Sequence, residues 1–236
     1  QFTKCTQPQS VIINEEFTIS KIESIKYLGL HLDPHLKWDI HGREVQRKLN
    51  AASSIMWKLK NVLPFSAKHK IYHSLFATHI NYMIVVWGNA CDTVIKPIQI
   101  IQNRMIRNMY GMDRLENRVQ MYRKAASDKI FPVRAMNFLN TASIIQLYRK
   151  NSIHTNLSFE RNRLARNMIN IRPTPARNNY GKKDIHHFGV NVYNNLTKKK
   201  KNAVHIHSFK FQVRQYISRE DFIQKCFDNS YLQAYG

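Results

Sequence analysis

Two pairs of adjacent carboxylates are the first candidates for chemistry in this sequence. Glu15-Glu16 and Glu220-Asp221 each place two acids side by side, and metal-dependent phosphoryl transfer uses carboxylates to hold Mg²⁺. Neither pair has a third carboxylate nearby in the sequence, and the chain contains no Asp-Asp pair. We therefore interpret both pairs as solvated turn and surface. The sequence predicts no catalytic residue and no metal site in this chain.

The eleven histidines supply the second candidate. His69 and His73 stand four residues apart on a predicted helix, which is a spacing found in zinc sites. No Glu follows His69, so the HExxH pattern of metalloproteases is absent. Polar positions in a basic protein are the favoured interpretation. The alternative is an unrecognised His-dependent metal nuclease, which requires His69, His73 and His79 to converge.

The charge balance is the most pronounced feature of the chain. It has 236 residues, with 37 Lys and Arg against 15 Asp and Glu, for a net charge of +22. A protein this basic binds polyanions, of which nucleic acids and anionic membranes are the usual ones. The longest strongly apolar run, residues 82–87, is far too short to cross a membrane. Nucleic acid is therefore the predicted partner, and no membrane association is expected.

The cysteines and the start of the chain bear on the cellular compartment. Cys5, Cys91 and Cys226 are too widely spaced for a CxxC zinc site or a disulfide framework. No apolar segment lies near Gln1, so a signal peptide is not supported. These features predict an intracellular protein of the nucleus, the cytoplasm or both. The absence of an initial Met suggests a fragment of something longer.

Basic side chains that lie off the apolar stripes are the candidate phosphate contacts. Residues 161–219 contain many Lys and Arg but a single acid, Asp184, and aromatic residues are interleaved among them. Cations neutralise phosphates, and aromatic faces stack on unpaired bases. The predicted nucleic-acid-binding residues are Arg43, Arg47, Lys48, Lys58, Lys60, Arg177, Lys182, Lys183, Lys198, Lys199, Lys200 and Lys201.

The periodicity of apolar residues predicts a mainly α fold with β structure at the N-terminus. Residues 11–13 and 17–19 form a predicted hairpin, and residues 25–32 form a third strand closed by Pro34. Beyond Trp38 the apolar residues recur at helical spacing. The predicted helical stripes are Val45, Leu49, Ala52, Met56, Leu59 and Leu63; Ile71, Leu75, Tyr82 and Val86; Ile98, Ile101, Met105 and Met109, capped by Gly111; and Val133, Met136, Leu139, Ile144, Ile145 and Tyr148. A further helix is predicted near residues 115–127, before the stripe that starts at Val133, and a last one over 208–226.

This pattern divides the chain into four predicted parts. Residues 1–36 are β strands, and residues 37–150 form a helical bundle. Residues 151–184 read as a basic linker, in which Pro173 and Pro175 favour an extended segment. Residues 185–236 form a small basic segment with a terminal helix. The fold class is thus a β-hairpin followed by a helical bundle and a basic, partly irregular C-terminal region.

The segment Lys26-Tyr27-Leu28-Gly29, followed by Asp33, Trp38 and His41, resembles the region just past the polymerase palm in reverse transcriptases of non-LTR (LINE-like) retrotransposons. Further landmarks of this family follow in the same order over nearly the whole chain. They are Lys4, Leu63-Pro64, Tyr82 with Trp87-Gly88, Gln102-Asn103, Ile106-Arg107, Arg177, Tyr180-Gly181, Tyr193 to Leu196, and Phe209-Lys210. Tyr193 and Thr197 replace the usual Trp and Pro, which loosens the C-terminal part of the match.

The resemblance implies a role for each part of the chain. Lys26, Tyr27, Leu28 and Gly29 would form the primer grip beside the growing 3′ end of the primer. The helices after Trp38 would form the thumb, which follows the template–primer duplex. The family's catalytic aspartates and their Mg²⁺ lie in the palm, upstream of Gln1, so this chain is expected to hold no cofactor and to have no polymerase activity alone.

Its expected partners are RNA–DNA hybrid or duplex nucleic acid and the polymerase palm and fingers. The alternative within the same ancestry is a free-standing nucleic-acid-binding protein derived from such an element.

Overall fold

The computed structural model describes residues 10–13, 17–20, 22–150, 171, 173–228 and 231. The fold is mainly α, as predicted, with two short antiparallel hairpins at the N-terminal end. The first pairs β1 (Ser10–Ile13) with β2 (Phe17–Ser20), and Ser10 lies opposite Ser20. This confirms the hairpin predicted from the two β-prone runs.

The single strand predicted over residues 25–32 is instead a second hairpin. It pairs β3 (Ile25–Tyr27) with β4 (Leu30–Leu32). The chain reverses at Leu28 and Gly29, whose φ angles are 45° and 77°. Two successive residues with positive φ form the tight turn that suits the twist of a two-residue hairpin. The apolar alternation predicts the strands correctly but does not reveal the turn, because Leu28 is not a typical turn residue.

Two long helices form the first half of the bundle. They are α1 (Asp39–Leu59) and α5 (Asp92–Tyr110), which pack against each other. The stripe predicted on α1 is buried from Val45 to Met56. Gly111 follows α5 as its C-cap, with a φ of 65° in the left-handed region that glycine favours. The predicted pattern is confirmed on α5 and over most of α1, whereas Leu59 is only partly buried and Leu63 lies beyond the end of α1.

Shorter helical segments connect α1 to α5. They are α2 (Phe65–Ile71), a π-helical segment (Tyr72–Phe76), α3 (Ala77–Asn81) and α4 (Ile84–Trp87). The stripe predicted here is wrong, because Leu75, Tyr82 and Val86 are exposed and Ile71 is only partly buried. The face that packs into the core consists of Tyr72, Phe76, Ile80, Ile84 and Trp87. This face carries three large aromatic side chains and the predicted one carries only Tyr82, so it has more apolar area to bury.

The helix α7 (Val133–Lys150) lies between the two halves of the chain. It follows α6 (Arg118–Ala125) and a 3₁₀ turn (Ala126–Asp128). It contacts α4 and α5 from the first half and, from the second, α9 (Val190–Asn194), α11 (Ile206–Ile217) and α12 (Glu220–Phe227). Residues 130–138 are all buried, so the start of α7 forms the centre of the core.

The C-terminal half contains more helix than the sequence predicts. The remaining elements are α8 (Asn179–Lys183), a π-helical segment (Ile185–Gly189) and α10 (Lys198–Lys201). The predicted terminal helix over 208–226 is two helices, α11 and α12, which are separated at Ser218 and Arg219. Most of the predicted linker, residues 151–170 together with Arg172, lies outside the described residues. Within the described part of the chain, no helix combines the length and apolar character that a membrane span requires.

Candidate nucleic-acid interface

The outer face of α1 carries a row of exposed polar and basic side chains. Arg43, Arg47, Ser54 and Lys58 lie within about 60° of one another around the helix axis, and all four are exposed. The buried stripe of α1 lies on the opposite side. From Arg43 to Lys58 the row is about 22 Å long. This helix therefore presents cations to solvent along most of its length while its other face holds the core.

One carboxylate borders this row. Glu44 accepts two hydrogen bonds of 2.9 Å from the Arg47 guanidinium, and its carboxylate lies 3.6 Å from Lys48 Nζ. The bonds from Arg47 lower the pKa of Glu44 to about 2, so this acid is charged at neutral pH. The side chain of Arg47 is nevertheless 72% exposed. Arg43 and Lys58 take part in no ion pair among the described residues.

An exposed tryptophan lies at the end of α1. Trp57 is 59% exposed, and Lys60 Nζ lies 5.9 Å from the centre of its ring. This residue was missed in the sequence, although its angular position falls outside the buried stripe and could have indicated it. An aromatic face beside a cation is a surface on which a nucleotide can stack.

The segment that resembles a primer grip forms the exposed tip of the second hairpin. Tyr27 and Leu28 are 61% and 62% exposed, and Lys26 and Gly29 are exposed beside them. The Tyr82 hydroxyl donates a 2.6 Å hydrogen bond to the Leu28 carbonyl. A Cβ placed on Gly29 would lie 3.3 Å from the Tyr82 ring, so the ring packs directly on this turn. The tip is therefore attached to the helical bundle.

Three landmarks of the sequence resemblance meet in the core. His41 lies against Trp87 and Trp38, with ring centres 5.5 and 6.2 Å apart. Both His41 ring nitrogens are buried without a hydrogen-bond partner. Burial, aided by the nearby charges of His31 and Lys48, lowers the pKa of His41 to about 4. These residues form an aromatic cluster that holds α1 and α4 together and do not face solvent.

The Gln-Asn landmark on α5 is also structural. The Gln102 side chain donates to the Tyr72 hydroxyl and to the Phe131 carbonyl, both at 2.9 Å. Its oxygen accepts from the Tyr122 hydroxyl at 2.9 Å, and Asn103 accepts from the same hydroxyl at 3.0 Å. This buried network joins α5 to the segments on either side of it.

The basic residues predicted in the C-terminal half have different environments. Arg177, Lys182, Lys198 and Lys199 are exposed. Lys183 is partly buried, and its Nζ lies 3.4 Å from Cys91 Sγ.

Lys201 does not fit the prediction of a surface phosphate contact, because only 5% of the residue is exposed. Its Nζ donates to the Asn194 carbonyl at 2.8 Å and lies over the Tyr193 ring. The short helix α10 turns one of its four lysines inward, which a run of identical residues cannot indicate.

The candidate metal ligands do not converge. His69 and His73 both point a ring nitrogen at the Asp128 carbonyl, at 3.4 and 3.1 Å. His79 instead lies near Lys48 and Glu44. Among the described residues, no group of three or more His, Cys, Asp or Glu is arranged to hold a metal ion.

The paired carboxylates do not form a metal site among the described residues either. Glu220 binds Arg123 at 3.0 Å, and Glu15 and Glu16 lie outside the described residues.

Comparison with known proteins identifies two relatives. The chain is 29% identical over 176 residues to a probable RNA-directed DNA polymerase from transposon X-element of Drosophila melanogaster, a match that covers 72% of this chain and 18% of the relative. It is 32% identical over 96 residues to the RNA-directed DNA polymerase from mobile element jockey of Drosophila funebris, which covers 39% of this chain and 10% of that relative.

The chain is therefore related to the reverse transcriptases of non-LTR retrotransposons, which confirms the resemblance found in the sequence. It matches less than a fifth of the length of either relative. No protein-family model matches the chain, and no solved structure does.

Proposed function

We propose that this chain is the non-catalytic C-terminal portion of a reverse transcriptase and that it grips the template–primer through backbone contacts. The observation that carries the proposal is the outer face of α1, where Arg43, Arg47 and Lys58 are exposed opposite the buried stripe. Side chains of this kind bind phosphates without reading bases. The binding should therefore tolerate any sequence and weaken steeply with salt.

The remaining parts of the chain fit the same function. The tip of the second hairpin, Lys26 to Gly29, would act as the primer grip, and the helices after Trp38 as the thumb. An RNA–DNA hybrid is close to A-form, so shape contacts would favour it modestly over B-form DNA. The parent protein would hold the catalytic aspartates and their Mg²⁺ in its palm, beside the fingers. It would act in the nucleus, the cytoplasm or both.

The test is the affinity of the chain for RNA–DNA hybrid, duplex DNA and single-stranded RNA across a salt series. The variant Arg43→Gln/Arg47→Gln/Lys58→Gln removes the α1 cations. We expect the slope of log K against log salt on duplex DNA to become shallower by about 2–3, since each lost phosphate contact contributes roughly 0.9. Incubation with Mg²⁺ and nucleotides should give no incorporation above a buffer blank.

A matched control removes the same charge elsewhere. Lys70→Gln/Arg114→Gln/Lys225→Gln changes three exposed cations that lie outside α1. If both triple variants reduce affinity equally, binding reflects net charge alone and the α1 interface is wrong. Nucleotide incorporation by the isolated chain would contradict the non-catalytic assignment.

A further inference from the structure

A second group of cations lies in the C-terminal half, on elements other than α1. Lys200 Nζ lies 4.9 Å from the centre of the Tyr216 ring, and the Arg219 guanidinium lies 5.7 Å from the same ring. We call Lys200, Tyr216 and Arg219 the Tyr216 cluster. The cluster brings together residues from α10, from α11 and from the break between α11 and α12. Its first and last members are nineteen positions apart in the sequence.

The Tyr216 ring is a fixed support for both cations. It packs edge-on against Phe222 at 5.2 Å and lies 5.9 Å from Phe138, so the core sets its orientation. The backbone N–H of Arg219 donates to the Tyr216 carbonyl at 3.3 Å, and Lys200 Nζ donates to Thr197 Oγ1 at 3.3 Å. The Tyr216 ring contacts both cations, and Thr197 also holds Lys200, before any ligand arrives, which lowers the entropic cost of binding one.

The two positive charges share one aromatic ring, and no carboxylate among the described residues pairs with either of them. Partial burial, together with the charge of Arg219, lowers the pKa of Lys200. Neither side chain takes part in an ion pair within the part of the chain that the structure describes. The acid next in the sequence, Glu220, binds Arg123 at 3.0 Å and Gln120 at 3.3 Å instead. An anion placed between Lys200 and Arg219 would relieve their mutual repulsion.

We propose that Lys200 and Arg219 bind one backbone phosphate of the nucleic acid, as a contact point separate from α1. This rests on the proposed function, because that function makes a nucleic-acid phosphate the anion at hand. A guanidinium forms a planar fork that matches two phosphate oxygens, and the lysine adds a point charge beside it. Arg219 was not among the residues predicted from the sequence, because it is isolated there, and only the fold brings it to the lysine run.

The experiment compares salt slopes on duplex DNA for the full chain and for Arg219→Gln, Lys200→Gln and the double variant. We expect the double variant to have a slope shallower by about 0.9, the value of one phosphate. Either single variant should account for most of that change, because both contact the same group. Arg219→Lys should restore part of the slope, since it keeps the charge but loses the fork. Thermal unfolding of each variant checks that the fold is intact.

Lys210→Gln is the matched control, because Lys210 belongs to α11 but not to the cluster. In the contrary outcome, the salt slope falls by the same amount in each single variant, including this control, with additive losses in the double variant. That result would show general charge attraction and overturn the proposal. Unchanged slopes for the cluster variants, with the α1 variant still impaired, would overturn the cluster and leave the proposed function standing. Absence of nucleic-acid binding by the unmodified chain would overturn both.

Vesicles of phosphatidylcholine and phosphatidylserine give the last arm. Each single cluster variant should lose no more vesicle binding than Lys210→Gln does, because only general charge attraction acts there. A loss on vesicles together with no loss on duplex DNA would assign the cluster to lipid headgroups and overturn the proposal.

Discussion

The hydroxyl of Tyr82 donates a 2.6 Å hydrogen bond to the carbonyl of Leu28, which lies fifty-four positions earlier in the chain. Tyr82 is itself held by Trp87, whose indole N–H donates to the Tyr82 carbonyl at 2.9 Å. Two landmarks of the reverse-transcriptase resemblance therefore act on a third, because Tyr82 and Trp87 set the position of the Lys26–Gly29 tip. In the proposed function, this arrangement places the primer-grip-like turn at a fixed site on the helical bundle.

Replacement of Tyr82 by Phe removes only that hydroxyl. We expect the free energy of unfolding to fall by about 1 kcal/mol, the usual net value of a hydrogen bond. Hydrogen exchange at Gly29 and Leu30 should accelerate more than exchange on α5. Tyr148→Phe, on the exposed side of α7, is the control and should change neither. Equal exchange rates at the turn in the variant and the unmodified chain would show that the bond does not hold the tip.

Replacement of Gly29 by Ala tests the packing of the same turn. The φ of +77° is unfavourable for any residue with a Cβ, and the new Cβ would lie 3.3 Å from the Tyr82 ring. We expect a loss of about 2 kcal/mol in urea unfolding, of which 1–2 is the backbone contribution. Gly111→Ala is a matched control, because its φ is +65° but no atom lies within 4 Å of its Cβ. If both substitutions cost the same, the contact with Tyr82 contributes nothing.

His41 should make the stability of the protein depend on pH. Its pKa falls from 6.5 to about 4 on folding, so between these values the unfolded chain binds more protons than the folded one. The contribution of His41 to the free energy of unfolding is therefore fully present above about pH 6.5. It is lost as the pH falls toward 4, by about 3 kcal/mol in all. His73 and His79 shift in the same direction and add to the effect.

The measurement is urea unfolding at several pH values for the unmodified chain and for His41→Met. The variant should retain its stability near pH 7.5 and lose less on acidification. His35→Gln, at an exposed position, should behave like the unmodified chain. An unaltered pH dependence in His41→Met would exclude this residue as the source.

The buried hydrogen bonds of Gln102 predict a large loss in the free energy of unfolding when this residue is replaced by Leu, which has a similar size. Gln102→Leu removes the side-chain partner of the Phe131 carbonyl and of the Tyr72 hydroxyl in the core, while the Tyr122 hydroxyl keeps Asn103 as an acceptor. Buried polar groups without partners cost about 1–3 kcal/mol each, and we expect a total near 3 kcal/mol in chemical denaturation. Gln215→Leu on the exposed face of α11 should cost little. A similar small change for both would mean that the network adds no stability.

The lysines of α10 should separate into two kinds. Lys201→Met removes the donor to the Asn194 carbonyl and should cost about 1–2 kcal/mol of stability without changing the salt slope of nucleic-acid binding. Lys199→Met should do the reverse, because Lys199 is exposed. Calorimetry and a salt series on the two variants distinguish them. A reduced salt slope in folded Lys201→Met would restore Lys201 as a phosphate contact.

The local pattern of the sequence was sufficient for the elements that repeat regularly. Val45 to Met56 on α1 and Ile98 to Met109 on α5 predict their buried faces, because a helix returns every 3.6 residues to the same side. The hairpin of β1 and β2 and the relationship to reverse transcriptases also follow from the residues alone. The exposed cations of α1 follow as well, as the complement of a regular stripe.

Only the tertiary structure decided the features that depend on which surfaces meet. Periodicity over residues 71–87 allows more than one packed face, and the core selected the face with Tyr72, Phe76 and Trp87. A run of identical lysines cannot indicate that Lys201 is buried while Lys199 is exposed, nor that Lys200 shares the Tyr216 ring with Arg219. The physical reason is that a side chain's partner is set by contacts between residues distant in the chain, and helical spacing specifies only which residues share a side.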